Sequence, residues 1–168
     1  MADIIIISTL CAVMVVLIIA AISDIRHRRI RNILPLILIG LYGVFILTAQ
    51  LQSDTYQVNI INGLLTGGIT LAGGLVLFAL GAMGGGDVKL AAALSLFAGT
   101  QYIAEVLILI ALSGGLVTGV TWAYTKLRQK QNKVDAANRH SVPYGVAISI
   151  SGIWLCIQLL KVANFAII

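Results

Sequence analysis

Apolar stretches of about 18 residues or more recur along this 168-residue chain, and nothing else limits its fold so tightly. A bilayer core about 30 Å thick needs roughly 20 helical residues to cross it. Lipid offers no partner for a bare N–H or C=O, so the helix satisfies those groups within itself. Sixty per cent of the residues are hydrophobic and 10% are charged, and the mean hydropathy is +1.03, well beyond ordinary soluble domains. The chain reads as an all-α, polytopic membrane bundle forming a single domain over 1–168. Helices are expected at 4–22, 33–51, 60–81, 88–99, 102–124 and 142–160, making about six crossings. The fourth is short, since about 12 residues rise only about 18 Å.

Charge sets the expected orientation. If the short segment crosses, the connectors at 23–32, 82–87 and 125–141 fall on one side. With the adjoining Lys89 they hold 10 of the 11 lysines and arginines, leaving only Lys161 outside. Short cytoplasmic loops carry this excess of Lys and Arg, so both termini are expected on the outer face. The start MADIIIISTL carries an acid where a signal peptide would be basic, and it reads as part of a retained first helix. The net charge of +5 does not indicate nucleic acid, because the basic residues lie between spans and are not interleaved with stacking aromatics. Membrane lipids are the expected surroundings.

Pro35 and Pro143 each fall in the first turn of an expected helix, where a missing N–H costs little. Gly63 and Gly67, and Gly115 and Gly119, have the four-residue spacing that lets helix backbones approach in lipid. Cys11 and Cys156 lie in apolar runs with no His or Cys at metal-ligand spacing, and read as buried packing thiols. His27 and His140 sit in basic segments and read as solvated or lipid-facing. No repeat or low-complexity tract is present. No dinucleotide loop, P-loop or nucleophile–histidine arrangement can be argued. No metal or other cofactor is expected.

Six acids are available. Asp3, Asp54 and Glu105 map to the outer side and Asp135 to the polar inner loop, where solvation accounts for them. Asp24, in AISDIRHRRIRN, and Asp87, in GAMGGGDVKL, instead fall where a helix meets the inner boundary. An ionisable group at membrane depth is a functional candidate. Asp87 could simply cap the following helix, and Asp24 could cap a short juxtamembrane helix or pair with Arg28. A cap, however, needs no triple glycine, and Gly84, Gly85 and Gly86 are entropically costly unless their missing side chains are used. Irregular backbone there would let a substrate peptide approach Asp87. Two facing carboxylates can hold one proton between them, one activating water while the other protonates a carbonyl. That is aspartyl-protease chemistry.

These residues resemble a known family. GGGD fits a Gly-x-Gly-Asp motif at Gly84, Gly86 and Asp87, DIRHRRIRN is similar to a first-aspartate segment, and VPYGVAI at 142–148 is similar to a late signature. Together they resemble the type IV prepilin peptidases, in the short form associated with Flp (tight-adherence) pili. The resemblance implies a metal-free aspartic endopeptidase of the bacterial inner membrane. Asp24 and Asp87 would cut the cytoplasmic leader of a prepilin after a glycine, and pilus assembly machinery would be a further partner. Arg31 stands where the family commonly has proline in Ile-Pro-Asn. The chain lacks the Cys-x-x-Cys domain of longer members, so cleavage without N-methylation is expected. Gly84, Gly85, Gly86, Tyr144 and Gly145 are expected to shape the substrate cleft. Lys89 is expected either to snorkel to the interface or to act on an acid of the pair or of the pilin. A proton- or ion-coupled transporter and a structural subunit of a pilus secretion complex are the competing classes.

Overall fold

The computed structural model describes residues 2–51, 59–129 and 144–165. Asp54, Lys130, Lys133, Asp135, Arg139, His140 and Pro143 lie outside the described residues, as does most of the inner connector expected at 125–141. The fold is an all-α bundle of five helices: α1 (Ala2–His27), α2 (Ile33–Gln50), α3 (Ile60–Ala79), α4 (Gly85–Gln129) and α5 (Tyr144–Phe165). All five are long and apolar enough to cross a membrane. Their outward faces carry isoleucine, leucine and valine, among them Ile4, Leu47, Ile69, Leu116 and Val120, as expected of surface turned to lipid rather than water.

Among the described residues the expected fourth and fifth helices are both present and meet within α4. That helix is interrupted at Gly99, whose φ of 53° and ψ of −168° are not helical. Contacts on either side show what the interruption does. Gly145 meets Asp24 and Gly152 meets Leu17, so α5 runs antiparallel to α1. Gly152 also meets Leu94. Beyond Gly99, Tyr102 packs edge-on against Trp154 with ring centroids 6.3 Å apart, while Gly114 lies against Tyr144. Residues 85–98 therefore run alongside α5 in the same direction, and residues 100–129 return against it. A straight helix over the 37 apolar residues Gly85–Thr121 would extend about 55 Å, far beyond a bilayer core. A residue without Cβ adopts this left-handed backbone at little steric cost.

Two seams position the site. On one, α3 packs against 85–98 through small residues: a Cβ on Gly67 would lie 2.6 Å from Leu96 Cδ2, one on Gly74 the same distance from Val88 Cγ1, and one on Gly63 would collide with Tyr42 Oη. The expected close approach at Gly63 and Gly67 is thus present. Thr66 closes this seam by donating to the Ser95 carbonyl at 2.8 Å. Gly115 and Gly119 do not behave the same way, since a Cβ at either would meet nothing within 4 Å among the described residues; Gly114 makes the helix contact instead.

The other seam joins α1, α4 and α5, where Leu10, Leu17, Leu94, Ile148 and Leu155 are fully buried. Ser149, also buried, has its hydroxyl oxygen 2.7 Å from the carbonyls of both Leu17 and Gly145, which share its single hydrogen. Cys156 is buried on this seam, but Cys11 is exposed, which corrects the expectation for that residue.

Candidate active site

Asp24 lies within α1, three residues before its end, so no separate juxtamembrane helix carries it. The helix stops because Arg28 takes a left-handed backbone, φ 50°, and its N–H donates back to the Asp24 carbonyl at 2.8 Å. That is the single-bond left-handed helix stop, with arginine at a position that usually holds glycine. The Asp24 side chain points inward and is only 4% exposed. The Gly145 N–H, at the start of α5, donates to its Oδ2 at 2.7 Å. The Val146 N–H faces the same carboxylate, and the Arg28 charge acts on it as well. A buried carboxylate must be satisfied in this way.

Asp87 is not a helix cap. Its helix begins at Gly85 rather than Val88, with the Val88 N–H bonded to the Gly84 carbonyl at 3.1 Å. Gly85 and Gly86 are therefore helical, and irregular backbone is confined to the residues before them. Asp87 occupies the third helical position and reaches back toward the Gly84 N–H, the reciprocal half of a capping box. That geometry explains Gly84: a Cβ there would sit 2.6 Å from Asp87 Oδ2. The other oxygen, Oδ1, is buried and has no hydrogen-bond partner among the described residues.

The two acids converge at one end of the bundle, close enough that the charge of Asp24 acts on Asp87. Ile30, from the turn between α1 and α2, bridges them. A Cβ on Gly86 would lie 3.1 Å from both the Ile30 Cβ and its carbonyl oxygen, and one on Gly145 would lie 2.9 Å from Ile30 Cδ1 and 2.8 Å from Asp24 Oδ2. Gly86 and Gly145 leave space beside the acids. In this structure that space holds Ile30 rather than standing open. Gly85 instead faces the Phe78 ring.

Lys89 is exposed and its ammonium donates to Asn32 Oδ1 at 3.2 Å. It thus joins α4 to the start of α2. Lys89 and Asn32 stand at one end of a groove of about 390 Å³ whose remaining lining is apolar or glycine, including Pro35, Leu64, Gly67 and Leu96. The half-buried Tyr144 has its ring against Gly114. Sequence reasoning missed Ile30, Asn32 and Ser149. Ile30 and Asn32 lie inside the DIRHRRIRN segment, but nothing in their residue type shows which helix they would meet.

The model of the type IV leader peptidase family matches residues 11–119. The chain belongs to that family. No curated protein and no solved structure matches it. The matched stretch includes Asp24, Ile30, the glycine run, Asp87 and Lys89, and ends before Tyr144 and Gly145.

Proposed function

We propose that this protein is a membrane aspartic endopeptidase that removes the leader of a type IV prepilin of the Flp class after a glycine, at the cytoplasmic boundary of a bacterial inner membrane, without methylating the product. The convergence of Asp24 and Asp87 at one end of the bundle carries this reading, with Asp87 Oδ1 left free to accept a hydrogen bond. Family membership supports peptidase activity in general. Charge bias puts both acids on the inner side, where a prepilin leader meets its apolar helix. Counting the two halves of α4 separately gives six crossings with both termini outside.

In the proposed reaction, one carboxylate takes a proton from water as its oxygen attacks the scissile carbonyl carbon. The partner, holding a proton, donates it to the carbonyl oxygen. Collapse of the resulting diol breaks the C–N bond: the ionised partner takes back a hydroxyl proton as C=O re-forms, and the proton taken from water passes to the departing amine. Two acids that feel each other's charge titrate as one coupled unit, so neither is assigned a fixed part. Gly145 fixes the Asp24 carboxylate, and Gly84 leaves room for that of Asp87. We extend the substrate cleft to Gly85, Gly86 and Tyr144.

Co-expression with a Flp-type prepilin tests the reading, with leader removal scored by gel mobility. Asp24→Asn and Asp87→Asn should each lower processing by at least about 100-fold, the lower range for loss of a positioned acid or base, while the protein still accumulates in the membrane. Processing at wild-type levels in either variant would refute the assignment.

A further inference from the structure

Ile30 sits in the space beside both acids. Its main chain lies against Gly86, which immediately precedes Asp87: a Cβ there would come within 3.1 Å of the Ile30 carbonyl oxygen and 3.6 Å of its Cα. Its side chain reaches Gly145, whose N–H holds Asp24. A peptide presented for cleavage would have to lay its own backbone along this same bare face, between the same two carboxylates.

We propose that residues 28–32 form a lid, with Ile30 as a plug in the slot that takes the substrate backbone, and that prepilin binds by displacing it. This rests on the leader-peptidase reading above. A permanently seated Ile30 would leave the acids no common face to present to a scissile bond.

The segment is built to release. Its polar ties outside the helix stops are the Ser23 hydroxyl donating to the Arg29 carbonyl at 3.1 Å and Lys89 donating to Asn32 at 3.2 Å, both exposed. Water can replace exposed hydrogen bonds at little net cost. The Arg28 residue at its root has a left-handed backbone that a non-glycine residue adopts only under constraint. Its far root is the Leu34 N–H on the Arg31 carbonyl, at 3.0 Å, where α2 begins. Lys89 and Asn32 also stand at the end of the apolar groove between α2, α3 and α4. Parting that pair opens the acid site sideways onto a surface able to receive an apolar helix still in the membrane. Ile30 thereby sets a threshold: only a peptide that fills the slot better than the chain's own isoleucine is cut.

Two measurements test the lid on detergent-solubilised full-length protein. In a Cys11→Ser, Cys156→Ala background that still processes prepilin, Ile30→Cys is combined with Asp87→Asn to block turnover, and a small water-soluble maleimide is applied with and without saturating prepilin. Labelling of the introduced thiol should accelerate at least about threefold when prepilin is added. An unchanged or slower rate overturns the lid. Separately, Ile30→Ala with both acids intact should raise kcat/KM several-fold through a lower KM, because substrate no longer competes with the plug. A higher or unchanged KM is the contrary result, and a purely structural wedge would give it. Failure of the wild-type chain to cut prepilin overturns the peptidase reading and the lid's role with it. A chain that cuts prepilin while its thiol ignores the peptide overturns the lid alone.

Discussion

At Gly145 a single hydrogen atom in place of a methyl group decides whether Asp24 can be held. The N–H that fixes the carboxylate and the bare Cα that admits it belong to the same residue. Gly145→Ala should therefore reduce prepilin processing by about 10-fold or more, since overpacking costs typically about 1–3 kcal/mol and here falls on a carboxylate of the proposed pair. Gly115→Ala, on a face with nothing within 4 Å among the described residues, should leave processing unchanged in the same gel assay. The Asp24 and Asp87 pair was legible from the sequence because so few acids are present, and an acid at membrane depth needs a reason. Ile30 was not, because one isoleucine among many carries no sign of its partner until the glycines of α4 and α5 are placed against it.

The short apolar run before Gly99 and the longer one after it read as two helices, and α4 is broken between them at Gly99, a residue with positive φ. Gly99→Ala would force a Cβ into backbone that is essentially glycine-only, at a cost on the order of 1–3 kcal/mol. Thermal unfolding in detergent should show a lowered midpoint for this variant. The α3 seam gives an internal comparison: Gly67→Ala drives a Cβ toward Leu96, whereas Gly68→Ala points into open space. The first should lower the midpoint and the second should leave it within error. Four-residue glycine spacing thus identified the α3 contact but failed at Gly115 and Gly119, because spacing defines a face without naming a neighbour.

At the level of the whole molecule, antiparallel α1 and α5 and the fold-back at Gly99 bring residues 24, 30, 87 and 145 to one end of the bundle. The proposed topology puts that end inside, so protease added to sealed inside-out vesicles should cut the basic connector at 125–141, and protease added to intact spheroplasts should not. Cutting from the outer side alone would invert the assignment. What the sequence determined by itself was the build: hydropathy demands helices in lipid, while charge bias and two acids beside a glycine run supply the proposed orientation and the proposed hydrolysis. Only the tertiary structure decided that α4 reverses at one glycine, that Asp24 is held by the backbone of Gly145, and that Ile30 packs against Gly86 and Gly145. The division has a physical cause: hydropathy and charge act locally and leave their pattern along the chain, whereas a contact between helices depends on which faces meet after packing, and residues 121 apart in the chain carry no mark of each other.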